Sequence, residues 1–173
     1  MGIYEELRDR YRPDVVDYLL VGESPPVPRH GKLRFFYSPV LTRPDSLYRA
    51  VATAFLDIEE AELARKVEML ERLREKRVWL VDVVDDPIND KSPSERRALL
   101  EAAIGGFVER CKGIAPRRGI LVCQKSVRAL VRPHLQAADL QIFPRALNFP
   151  RADQPAWRQQ FIEGMRAFRD GNW

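Results

Sequence analysis

The residues best suited to chemistry cluster where the apolar run Val15-Val16-Asp17-Tyr18-Leu19-Leu20-Val21 meets Gly22-Glu23-Ser24-Pro25-Pro26. Glu23 offers a carboxylate that can accept a proton. Ser24 offers a hydroxyl that can hold a water, though it is a poor general base without a partner. Gly22 permits close approach to the backbone, and Pro25 and Pro26 restrict the chain beyond it. Phe35-Phe36-Tyr37 supplies flat apolar faces for stacking. Asp82 lies in the run Val78-Trp79-Leu80-Val81-Asp82-Val83-Val84, where a buried acid needs a partner or a function. Asn148-Phe149-Pro150 adds an amide in a loop flanked by Arg145 and Arg151, which could contact phosphates. Each has a plainer reading: a capping turn, an aromatic plug under a loop, a loop carboxylate, an Asx turn, and surface charges.

Such side chains need a frame. Val- and Leu-rich runs over 15–21, 78–84 and 119–123 read as strands buried on both faces, and Leu140-Gln141-Ile142-Phe143-Pro144 as a fourth, edge strand. Helical spacing predicts helices over 2–11, from Asp45-Ser46 through Ile58, over 60–76, from Ser92 to about Cys111, over 125–137, and over 155–169. Ser92-Pro93-Ser94-Glu95 has the form of a capping box. The expected fold is α/β: a three-layer α/β/α sandwich around a central, mainly parallel four-stranded sheet, one domain over residues 1–173. Ligands in such sheets bind beyond the carboxyl ends of strands, which is where Gly22-Glu23-Ser24-Pro25-Pro26 falls.

Composition narrows the function classes. The chain has 173 residues and a formal charge of +4, which permits a nucleic-acid partner without requiring one. From Arg117 to Arg169 it is rich in Arg and poor in acids. Cys111 and Cys123 form no Cys-x-x-Cys pair, so neither structural zinc nor an iron–sulfur cluster is expected. Asp82, Asp85, Asp86 and Asp90 could be read as a metal cluster, but they fit a solvated turn better. Gly-x-Gly-x-x-Gly and Gly-x-x-x-x-Gly-Lys are both missing, so nucleotide binding of those types is set aside. No long apolar stretch suggests a membrane span, and the opening Met-Gly-Ile-Tyr-Glu-Glu-Leu-Arg has no signal-peptide core. The expectation is a cytoplasmic monomer with no cofactor and no metal.

Strand-end Gly22-Glu23-Ser24-Pro25, a downstream aromatic segment and the late Asn148-Phe149-Pro150 together resemble the uracil-DNA glycosylase superfamily, nearest to its Gly-Glu-Ala-Pro form. The resemblance in element order spans nearly the whole chain. It implies a protein that flips a damaged or mismatched base out of DNA, stacks it on Phe36 and hydrolyses its N-glycosidic bond. It further implies that Glu23 and Ser24 position the attacking water and that Asn148 stabilises charge on the departing base. Gly22, Pro25, Phe36 and Asp82 would bind the base, and Arg145 and Arg151 the DNA. Ser24 stands where several of these families place Asp or Asn, and Asp82 where the base-reading Asn usually sits. An ionised Asp only accepts hydrogen bonds, and protonation restores one donor. The iron–sulfur cluster of the Gly-Glu-Ala-Pro enzymes is not expected.

Two alternatives remain. One is a module of the same fold that binds nucleic acid or a nucleobase without cleaving it. The other is a small-molecule hydrolase or structural domain unconnected with DNA.

Overall fold

The computed structural model describes residues 2–173, and three short parallel strands form its centre. Strand β1 (Tyr18–Gly22) lies in the middle, with β2 (Val78–Asp82) on one side and β3 (Ile120–Val122) on the other. Leu20 pairs with Leu80 and with Leu121, and Gly22 pairs with Asp82. Leu19, Leu20, Val21, Leu80, Val81, Ile120, Leu121 and Val122 are all buried, as continuous apolar strands covered on both faces must be.

The connections run through α1 (Ile3–Arg10), α2 (Ser46–Leu56), α3 (Lys66–Glu75), α4 (Pro93–Ile114), α5 (Lys125–Ala137) and α6 (Pro155–Arg169). Helix α2 packs on α3 and α6, and α4 packs on α5. With the right-handed crossovers usual for parallel strands, connections that run in opposite directions from the sheet centre would put these two groups on opposite faces. The α4 capping box forms as expected: the Ser92 hydroxyl accepts from the Glu95 N–H and the Glu95 carboxylate from the Ser92 N–H. Gly105 and Gly106 are exposed within α4 and do not interrupt it. No helix among the described residues is long and apolar enough to cross a membrane.

The sheet has three strands, not the four expected. Residues 140–144 form a single parallel bridge, Ile142 to Ile120, with the Ile120 N–H bonded to the Gln141 carbonyl and the Phe143 N–H to the Ile120 carbonyl. Strand β3 is too short to extend this ladder. Gly119 before it sits at φ 103°, and Gln124 after it already takes the N-cap position of α5. Pro144 also has no N–H to donate. The helix expected over 60–76 divides into a 3₁₀ turn (Glu62–Ala64) and α3. Val67 and Trp157, apolar residues of α3 and α6, are exposed.

The strand order reverses at β1: one crossover leads outward to β2, the next back across β1 to β3. Such a reversal opens a crevice beyond the carboxyl ends of the strands. Backbone bonds continue past β1 and β2, from Val83 N–H to the Gly22 carbonyl and from Val84 N–H to the Glu23 carbonyl. The two loops leaving the sheet here are therefore held side by side.

Candidate functional site

A cavity of about 400 Å³ occupies that crevice. The end of β1 contributes Gly22, Glu23, Ser24 and the two prolines; β2 contributes Leu80 and Asp82; Gln124, at the N-cap of α5, comes from just beyond β3. The long loop brings Arg34, Phe35 and Phe36, the start of α2 brings Asp45 and Ser46, and the late loop brings Phe149. Most of the residues expected at a site thus share one cavity.

Asp82 is the deepest of the polar groups, 4% exposed. Its carboxylate accepts from Arg8 Nη2 at 3.2 Å and lies directly over Gly22, where a Cβ would collide with Oδ1. Burial raises its pKa to about 6, against the opposing pull of Arg8, with Asp85 adding to the rise. Arg8 also binds Asp85 at 2.9 Å, and Asp85 in turn binds Arg110, so Asp82 belongs to a chain of alternating charges. Near pH 6 this carboxyl exchanges between an acceptor and a donor.

Glu23 is held by Arg96 of α4, whose Nε lies 2.9 Å from Oε1 and whose Nη2 contacts the same oxygen. The pair ties the β1 loop to the first turn of α4, 73 residues away in the chain. Ser24 is half-buried, and among the described residues its hydroxyl makes no hydrogen bond, which leaves it available to a water or ligand in the cavity. Asn89 accepts from the Val27 N–H at 2.7 Å and fixes the loop beyond the prolines.

The aromatic triplet divides its work. Phe35 and Phe36 line the cavity, Phe35 edge-on to Tyr4 and Phe36 edge-on to Tyr37 and Tyr48. Tyr37 lies beneath them: its hydroxyl donates to the Leu80 carbonyl at 3.1 Å and accepts from the Leu80 N–H at 2.7 Å. Complete burial pushes the phenol well above its usual range, so it stays protonated and able to play both parts. Lys66 Nζ, 1% exposed at its side chain, binds the Phe35 carbonyl at 3.1 Å and Asp45 at 2.7 Å. The cavity wall is thereby fastened to α3. Asp45 holds the N-cap position of α2 but makes no capping bond; its carboxylate is engaged by Lys66.

The late loop corrects the expectation. Asn148 is half-buried but does not line the cavity; its neighbour Phe149 does. Leu147 is buried against Gly164 of α6, so the loop is anchored by an apolar contact rather than by the amide. Arg145 and Arg151 do not line the cavity either. Arg145 lies over the Phe143 ring, and Arg151 is exposed and forked onto Asp153. The residues that sequence reasoning passed over are Arg8, Arg34, Asp45, Lys66 and Arg96, all basic or acidic residues within otherwise ordinary helical or loop stretches. Among the described residues no three of His, Cys, Asp or Glu converge as a metal would need. Burial raises the Cys111 thiol to about 12 and the Cys123 thiol further, so neither is a nucleophile. Set against protein-family models, curated proteins and solved structures, the chain matches none of them.

Proposed function

We propose that the cavity binds a nucleobase and that the protein is a monomeric, cytoplasmic glycosylase acting on DNA, of the uracil-DNA glycosylase type. The observation that carries this reading is the meeting of aromatic rings and edge-reading groups in one cavity. Phe35 and Phe36, both buried, and the half-buried Phe149 line it, while Asp82 and Ser24 bring hydrogen-bonding atoms. A flipped base needs that combination.

In this reading Phe36 stacks on the base and Asp82 reads its edge, as an acceptor above pH 6 and a donor below. Ser24 holds the water that attacks C1′. Bond formation from water to C1′ accompanies cleavage of the C1′–N bond; the base leaves with the bonding pair and takes up a proton, and the water loses one. Glu23, engaged by Arg96, positions the loop carrying Ser24. Asn148 would have to move to reach a departing base.

A second reading follows from the charges. Glu23, Asp45 and Asp82 are each in an ion pair, which leaves no cavity carboxylate free as a base. That favours a module that holds a nucleobase or nucleic acid without cleaving it.

Incubation with labelled oligonucleotides carrying uracil, hypoxanthine, xanthine or a mismatched thymine, followed by alkali, separates the two. The glycosylase yields an abasic break at one of these bases, and Ser24→Ala reduces it. Gel shifts without breaks at stoichiometric protein select the binding module. Neither breaks nor shifts would remove the nucleic-acid reading.

A further inference from the structure

The three acids that line the cavity are each matched by a cation. Asp82 is paired with Arg8, Glu23 with Arg96 and Asp45 with Lys66. Asp85, the second partner of Arg8, is matched by Arg110. Arg34 also lines the cavity, and among the described residues its guanidinium makes neither an ion pair nor a hydrogen bond. Its Nε is cut off from solvent and has no partner. Nε atoms in the same position occur in Arg8, Arg110, Arg128 and Arg166, but each of those guanidinium groups is held by a carboxylate or a backbone carbonyl. Arg34 alone among them has no such hold.

A half-buried guanidinium with no anion beside it has lost part of its hydration without compensation. The cavity wall therefore carries one unbalanced positive charge in a place shaped for a ligand. Guanidinium presents a planar fork of donors that matches the oxygens of phosphate. Arg34 immediately precedes Phe35 and Phe36, so the charge sits next to the rings available for stacking.

We infer that Arg34 is the phosphate-binding residue of this cavity, and that the ligand is a base still carrying its sugar phosphate rather than a free base. The inference rests on the nucleobase reading above for the identity of the stacked group. The phosphate can belong to a free nucleotide or to a strand. A neighbouring groove of about 400 Å³, lined by Arg43, Arg49 and Arg158 and meeting the cavity at Pro44 and Ser46, favours the strand. Its single acid, Glu60, is shared by Arg49 and Arg158, and Arg43 is exposed. Phosphates flanking the bound nucleotide would run along it.

Calorimetric titration of the intact protein with deoxyuridine, deoxyinosine, their 5′-monophosphates and inorganic phosphate tests the inference. For the matching base, the monophosphate is expected to bind about 10- to 100-fold more tightly than the nucleoside. Arg34→Gln should abolish that advantage and leave nucleoside affinity unchanged, and Arg34→Lys should keep part of it. Equal affinities of nucleoside and monophosphate, or an advantage that survives in Arg34→Gln, overturn the role of Arg34 while the nucleobase reading stands. Binding of inorganic phosphate that Arg34→Gln abolishes, without binding of either nucleoside, supports Arg34 and removes the nucleobase. Absence of all binding overturns both. A five-nucleotide single strand with uracil at its centre identifies the source. Tighter binding than dUMP, lost in part in Arg43→Gln, supports the strand; affinity equal to dUMP overturns the groove assignment and leaves the free nucleotide.

Discussion

The carboxylate of Asp82 fills the space that a side chain at Gly22 would need. The two residues are register partners at the ends of β2 and β1, and the closeness of the acid to the bare backbone lets both border one cavity. Gly22→Ala should push the Asp82 side chain out of its place and weaken its contact with Arg8. The expected cost is about 1–3 kcal/mol by urea unfolding, with loss of ligand binding. In an Asp82→Ala background the same substitution should cost much less. An equal cost in both backgrounds would show that the carboxylate is not what Gly22 accommodates.

Asp82 also predicts a pH dependence. Its folded pKa of about 6 lies above the ordinary carboxyl value, so between about pH 4 and pH 6 the folded state binds a proton that the unfolded chain has released. Stability therefore falls as pH rises through that window and levels off above it, by about 3 kcal/mol. Asp82→Asn should flatten this part of the profile. Unfolding free energies measured from pH 4 to 7 decide the point, and a wild-type profile that rises across the window would show that folding does not raise the Asp82 carboxyl.

Glu23 and Arg96 form a partly exposed pair, at 11% and 33% side-chain exposure, so its contribution to stability is modest. A double-mutant cycle with Glu23→Gln and Arg96→Gln should return a coupling of about 1 kcal/mol. If Glu23 acts only by holding the loop, Arg96→Gln should impair base release or binding as much as Glu23→Gln does. A large loss in Glu23→Gln alone would instead mark Glu23 as a group in contact with the reacting water.

The pair of Lys66 and Asp45 is far more buried, at 1% and 5%, and removing one partner strands the other charge. Lys66→Met should cost about 3–5 kcal/mol in chemical denaturation. Adding Asp45→Asn to Lys66→Met should restore much of that, since neither charge then remains. The double variant should also loosen the Phe35 wall, because the bond from Nζ to the Phe35 carbonyl is lost with the lysine. A shift in near-ultraviolet circular dichroism from the aromatic cluster would report it.

Features set by neighbours in the chain were readable from the residues alone. The Ser92 capping box and Pro155 at the first turn of α6 are local signals for helix starts, and α5 and α6 both run as the spacing predicts, α5 continuing past Pro133. Gly22-Glu23-Ser24-Pro25 ends its strand, because a β-branched run stopped by turn residues is also a local signal, whereas β2 stops at Asp82, two residues short of the run over 78–84. The fourth strand was not readable, because a strand needs a partner and β3 is only three residues long. The partners of the acids were equally hidden. Arg96 lies 73 residues from Glu23, and Arg8 lies 74 from Asp82, and nothing in either segment announces the other. Asn148 is the residue of its loop whose type suggests chemistry, yet Phe149 is the one that lines the cavity, in a loop whose Leu147 packs against Gly164 far along the chain.

Tyr37 has a consequence beyond the cavity. β2 is an outer strand, and the backbone groups of Val78, Leu80 and Asp82 point away from β1, toward where another chain could add. The Tyr37 hydroxyl occupies both the N–H and the C=O of Leu80, and Arg110 occupies the C=O of Asp82. An incoming strand would find the middle and the end of that template already taken. A phenol and a guanidinium thus close this flank against self-association and fibril growth, as natural sheets must somehow do. The same phenol joins the cavity to the sheet, because the aromatic segment that lines it is fastened to β2 through both backbone groups of Leu80, so disorder in that strand would undo the cavity wall as well.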